Sequence, residues 1–186
     1  VFNNRINSDS TQTKRRLDVN TFDNGVTTFN GTIGAGPNDL NDLGLGDDRP
    51  LEHLGANADG VTVFNTDVIV VDGPASAEFD NAARINRDLE ITELGGGPVT
   101  FGGPVDANPG AQPGAEPSLT VNTAGTTTFA APIGEAQPLG SVTTDPPGNT
   151  IISSNVKTSG PQTYNDVVEA TEPVQLSGAQ INLEGG

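Results

Sequence analysis

One short phrase returns six times along the chain, and it limits the fold more than any other feature. It runs as a β-branched stretch, an aromatic, three small or polar residues, and Ile or Val four places after the aromatic. The copies are Val1-Phe2-Asn3-Asn4-Arg5-Ile6, Gly25-Val26-Thr27-Thr28-Phe29-Asn30-Gly31-Thr32-Ile33, Gly60-Val61-Thr62-Val63-Phe64-Asn65-Thr66-Asp67-Val68, Gly97-Pro98-Val99-Thr100-Phe101-Gly102-Gly103-Pro104-Val105, Gly125-Thr126-Thr127-Thr128-Phe129-Ala130-Ala131-Pro132-Ile133 and Gly160-Pro161-Gln162-Thr163-Tyr164-Asn165-Asp166-Val167-Val168. Phe2, Phe29, Phe64, Phe101, Phe129 and Tyr164 hold the aromatic position; Phe22 and Phe79 stand outside the pattern.

A longer period lies above the short one. Phe29 and Phe129 are 100 residues apart, as are Phe64 and Tyr164. Leu17-Asp18-Val19-Asn20-Thr21 returns as Leu119-Thr120-Val121-Asn122-Thr123. The chain therefore reads as one segment, 1–186, holding nearly two copies of a unit of about 100 residues, 1–100 and 101–186. The second copy stops short, as an excerpt of a longer repetitive protein would.

No stretch keeps a 3.6-residue apolar period long enough for a stable helix. Short β-rich runs separated by Gly, Pro, Asn and Asp turns predict an all-β fold. Val61–Phe64, Val68–Val71 and Leu89–Thr92 are clear strands, and Asp145-Pro146-Pro147-Gly148-Asn149 is a turn. A phrase kept in register six times fits a parallel β-helix, a β-solenoid of stacked coils, better than a sandwich. Each coil leaves its strand edges open until the next one stacks about 4.8 Å away. Like residues then lie over like residues. The six phrase aromatics are the predicted interior stacking positions, with Ile and Val inward, Thr partly outward, and Asn at tight left-handed corners. Residues 103–118, rich in Pro and Gly, read as an insertion at the loop where the first copy has Asn7–Arg16.

The phrases Val26-Thr27-Thr28-Phe29-Asn30-Gly31-Thr32-Ile33-Gly34, Leu119-Thr120-Val121-Asn122-Thr123-Ala124-Gly125 and Thr158-Ser159-Gly160-Pro161-Gln162-Thr163-Tyr164-Asn165-Asp166 resemble the repeats of filamentous-haemagglutinin-like and autotransporter-like bacterial surface proteins. The resemblance covers most of the chain. It is strongest in 17–34 and 119–168 and weak in 35–59 and 103–118. It implies a right-handed parallel β-helix in an exported stalk or adhesin, placed at the bacterial cell surface or outside the cell. It brings no catalytic residues with it.

Charge narrows the partners. Twenty-four acidic side chains stand against eight basic ones, a net charge of -16. Nucleic acid and anionic membranes repel such a surface, and no apolar run approaches membrane-spanning length. The expected partners are further coils, either head-to-tail copies or adjacent repeats of the same chain, and surface glycans. Absence of cysteine excludes disulfides and thiolate metal sites.

Chemistry-bearing residues are few. The acidic stretch 35–59 offers Asp39, Asp42, Asp47 and Asp48 as Ca2+ candidates, without an EF-hand or calcium β-roll pattern. Asp47-Asp48-Arg49 is the tightest acid/base cluster, the feature that would favour a carbohydrate-cleaving or carbohydrate-binding β-helix. His53 stands alone, without the partners of a zinc site or a nucleophile triad. Gly95-Gly96-Gly97 lacks the Gly-Lys-Ser/Thr of a phosphate loop. The expectation is a non-enzymatic structural or adhesive segment without a cofactor, Ca2+ being the exception to test.

Overall fold

The computed structural model describes residues 1–10, 12–35, 49–57, 59–110 and 114–185. In chain order its strands are β1 (Arg16–Asn20), β2 (Val26–Phe29), β3 (His53–Asn57), β4 (Val61–Phe64), β5 (Val68–Val71), β6 (Ala77–Phe79), β7 (Ala82–Ile85), β8 (Leu89–Glu93), β9 (Val99–Phe101) and β10 (Val105–Ala107). They continue as β11 (Leu119–Thr123), β12 (Thr126–Phe129), β13 (Val142–Thr144), β14 (Asn149–Ile152), β15 (Val156–Lys157), β16 (Pro161–Tyr164), β17 (Val167–Ala170), β18 (Leu176–Ser177) and β19 (Gln180–Leu183). There is no helix among the described residues.

The strands form three principal sheets. The seven-stranded sheet runs β1-β3-β6-β9-β12-β14-β17, the four-stranded sheet β2-β4-β7-β10 and the six-stranded sheet β5-β8-β11-β13-β16-β19. The pair β15–β18 prolongs the four-stranded sheet, because Ile133 bridges both Val105 and Val156. All strand pairing is parallel. From β4 onward the chain visits the four-, six- and seven-stranded sheets in strict rotation. Each full lap therefore adds one strand position to each sheet.

The register follows the expectation of like over like only in part. Phe29 lies opposite Phe64, 35 residues on, but Phe64 lies opposite Ile85, only 21 on. Leu89, Leu119, Val142, Gln162 and Ile181 are successive partners, at intervals of 30, 23, 20 and 19 residues. The compact lap is thus near twenty residues, and insertions lengthen some laps. The phrase copies fall on all three sheets: Phe29 and Phe64 on the four-stranded, Phe101 and Phe129 on the seven-stranded, Tyr164 on the six-stranded. What the phrase encodes is a corner. The aromatic ends one strand, and four residues later the chain has entered the next sheet, as Phe101 to Val105 and Phe129 to Ile133 show. The third copy takes one extra residue at the corner, so Ile69 rather than Val68 fills the core.

Corners use two devices. Gly34 and Gly134 both take φ of 71°, the left-handed region. A Cβ on Gly134 would lie 2.1 Å from the Lys157 carbonyl oxygen. Gly134→Ala is therefore expected to cost at least about 1–3 kcal/mol by urea unfolding. Gly110→Ala, where a Cβ meets nothing within 4 Å, should be neutral, and equal effects at the two sites would refute the corner argument. The asparagine corners are different. Non-glycine positive φ occurs, among the described residues, at Asp23 and Asn24 only. Asn30, Asn65, Asn86 and Asn108 instead stack, each backbone N–H donating to the lap before. Their side chains join too: Asn30 Nδ2 donates to Asn3 Oδ1 at 2.8 Å, and Asn65 Nδ2 to Asn30 Oδ1 at 3.0 Å.

The insertions also sit at different places. Ser8 N–H donates to the Arg49 carbonyl, and Glu52 N–H to the Arg15 carbonyl. Ser8 and Arg15 therefore bracket a departure from the chain path beside the six-stranded sheet. Residues 108–118 instead separate β10 from β11, between the four- and six-stranded sheets.

Candidate functional site

The sequence puts its candidate positions inside the laps, and the structure gathers them into columns. Phe2 and Phe29 stack with centroids 5.0 Å apart, and Phe29 and Phe64 with centroids 5.9 Å apart. Phe64 meets Phe79 edge-on at 5.2 Å, which carries the column from the four-stranded to the seven-stranded sheet. Phe79, Phe101 and Phe129 continue it at 5.3 and 5.5 Å. Such pairs add about 0.5–1.5 kcal/mol each beyond area burial. Phe79, outside the phrase, is thus a full member of the stack. Tyr164 is not: it lies between Thr144 and Leu183 in register, and its hydroxyl donates to Gln162 Oε1 at 3.1 Å. Burial, then the charge of Asp166, pushes its phenol pKa up.

Beside the aromatics runs a polar column that the sequence reading did not place. Thr27, Thr62, Thr127, Thr144 and Thr150 point inward and are buried, whereas Val26, Val61 and Val63 face outward. In β2 and β4 this reverses the expected Val-in, Thr-out pattern, which Val99, Val121 and Val142 inward and Thr100, Thr120 and Thr143 outward follow. Thr and Val are nearly isosteric, so a buried Thr fits where its hydroxyl has an acceptor; in this column Thr127 lacks one. Thr62 donates to Asn81 Oδ1 at 3.1 Å. Thr144 donates to Asp166 Oδ1 at 2.7 Å, and Thr150 Oγ1 lies 2.9 Å from both Asp166 oxygens.

Glu93 is the most deeply committed carboxylate. It ends β8 on the face of Leu89 and Ile91 and is 4% exposed. Its oxygens accept from the N–H groups of Gly97 at 2.6 Å, Gly95 at 2.8 Å and Gly73 at 3.3 Å. Thr123 Oγ1 caps the cluster by donating to the Gly97 carbonyl at 2.7 Å. Gly95-Gly96-Gly97 forms an anion-binding nest, and the protein's own glutamate fills it.

His53 is 3% exposed. Its Nε2 lies 3.1 Å from Asp18 Oδ1 and its Nδ1 faces the Ala75 carbonyl. The ring ties β1, β3 and the start of β6 together across the outer face, in the space left by the absent side chain of Gly55. Nearby, Lys14 Nζ pairs with Asp72 Oδ2 at 2.5 Å, at the rim of an open groove of about 630 Å³ that also meets Glu52 and Gly95.

Asp145 offers a pH test. Burial raises its carboxyl pKa above the ordinary 3.8, against the lowering effect of the Thr123 N–H it accepts. A raised folded-state pKa makes the ionised form a cost. Stability from this group therefore grows as pH falls through the folded pKa. Asp145→Asn, which keeps the acceptor oxygen, is expected to raise the melting temperature at about pH 7 and to lose that advantage at about pH 4. A gain that does not depend on pH would contradict the burial argument.

The Ca2+ candidates Asp39, Asp42, Asp47 and Asp48 lie outside the described residues. Among the described residues no three His, Asp or Glu side chains converge for a metal ion. No described helix is long and apolar enough to cross a membrane. Comparison with protein-family models, with curated proteins and with solved structures returned no match.

Proposed function

We propose that the chain is a segment of a right-handed parallel β-helix, a β-solenoid, that serves as a structural or adhesive stalk on a bacterial surface or within an extracellular filament. The observation that carries this reading is the unbroken parallel pairing, in which every lap extends all three sheets. Columns such as Ile33, Ile69, Ile91 and Val121 are 0% exposed and continue through successive laps. Such a body resists extension along its axis through backbone ladders and a continuous core. Its outermost strands offer unpaired edges, which fit further coils, whether adjacent repeats or head-to-tail copies. Surface glycans are the partner class for an adhesive role. The bacterial and extracellular setting rests on the resemblance of the phrases. This reading assigns no catalytic residue and no cofactor.

Electron microscopy and fibre diffraction of the native material test it. The expected result is rods with a meridional spacing of about 4.8 Å. Discrete particles, capped at both ends and no longer than one chain, would sink the filament reading.

A further inference from the structure

His53 is the chain's one histidine. It stands on the outer face of the seven-stranded sheet, out of phase with the core residues Leu54 and Ala56, and yet it is buried. Gly55 makes the room: a Cβ there would lie 2.6 Å from Asp18 Oδ1 and 2.8 Å from His53 Nε2. Both ring nitrogens meet groups that near neutral pH only accept. Nε2 lies 3.1 Å from Asp18 Oδ1 on β1, and Nδ1 faces the carbonyl of Ala75, just before β6. A neutral imidazole carries one N–H and one lone pair. In either tautomer that lone pair points at a carboxylate or a carbonyl oxygen. Only the imidazolium, with two N–H donors, satisfies both contacts.

The surrounding charges suit a cation. The charged groups on the elements packed against the ring are Asp18 and Arg16 on β1, Glu78 on β6, and Glu52 with the Lys14–Asp72 pair at the neighbouring groove. Asp18 and Glu78 are the register neighbours of Gly55 on its two sides, so two carboxylates flank the space that the ring fills. Arg16 lies opposite His53, but its guanidinium sits 4.0 Å from Asp18 and is 52% exposed, where water screens it. Lys14 is matched by Asp72.

We propose that His53 is a pH-operated latch that holds three successive laps together. Protonated, it donates to β1 on one side and to the segment before β6 on the other. When the ring loses its proton, one of these hydrogen bonds becomes a lone pair facing an acceptor. The β1 side gives way, because Asp18 is 44% exposed and water can take its carboxylate. Attachment of β1 is then full below about pH 6.5, where a free imidazole is protonated, and weakens as pH rises. The latch works within one chain and does not depend on the stalk reading. Rods can persist while it opens, and it can operate in a chain that forms no rods.

Amide hydrogen exchange of the 186-residue chain from about pH 5.5 to about pH 8.5 tests the proposal. Each rate is corrected for intrinsic exchange at that pH, with β11 as the internal reference. Protection of β1 is expected to fall about tenfold across the range, as loss of a charged hydrogen bond implies, while β11 stays constant. 15N NMR of the ring, in which every histidine signal belongs to His53, should place that fall at the loss of one ring proton. His53→Gln should leave β1 protection independent of pH. Asp18→Asn, whose NH2 can donate to the neutral ring, should keep β1 protected at the alkaline end. Constant β1 protection in the native chain overturns the proposal. So does a fall that both variants leave in place.

Discussion

Phe101→Ala is expected to remove about 3–5 kcal/mol of stability, the largest loss of any single side chain. Phe101 is 0% exposed and sits mid-column, 5.3 Å from Phe79 and 5.5 Å from Phe129. Truncation opens a hole flanked by two rings that belong to different laps, so neither lap can close it alone. Folded domains hold about 5–15 kcal/mol in total, which leaves the variant close to unfolding. Urea denaturation measures the loss, and Phe101→Leu, which refills most of the volume, should recover about half of it. A loss below about 1 kcal/mol would mean that the column is not a principal source of stability. Phe22→Ala, at 65% exposure, is the internal control and should change little.

Glu93→Ala is the second. The substitution strips the acceptor from the N–H groups of Gly95 and Gly97, held at 2.8 and 2.6 Å. Gly97 is buried, and its donor left without a partner costs about 1–3 kcal/mol; Gly95 is exposed and water can take its N–H, so the expected total is about 1–3 kcal/mol. Glu93→Gln keeps one acceptor oxygen but turns an amide NH2 toward backbone N–H groups, and should fall in between. Amide hydrogen exchange gives the sharper readout, because protection should vanish at Gly95 and Gly97 before it does in β8. Unchanged protection at both glycines would show that the nest holds its shape without the carboxylate.

Sequence and structure agree on most strands because the period-2 alternation of Leu89–Glu93 and Leu119–Thr123 is local information. That alternation also put Glu93 on the inner face, in phase with Leu89 and Ile91. The signal was present, but a buried carboxylate is recognisable only once the Gly95–Gly97 amides are known to surround it. Phe79 was missed because Ala77-Glu78-Phe79 lacks the flanking Gly and Ile of the phrase; its place depends on pairing with β3 and β9, which no local pattern carries. The Thr and Val inversion in β2 and β4 was illegible for a related reason. The two side chains share a shape and a strand preference, and only the acceptor Asn81 supplies to Thr62 decides which of them belongs inside.

The strict rotation among sheets means that the chain can change length only in steps. Ile133 lies opposite Val156, 23 residues on. Excising residues 133–155 removes one position from each sheet and brings Pro132 to Val156 in phase. That shortened chain should keep its β circular dichroism and cooperative melting. Excising only 133–144 brings β14 directly after β12, both of them strands of the seven-stranded sheet, and puts every later side chain on the wrong wall. That product should not fold.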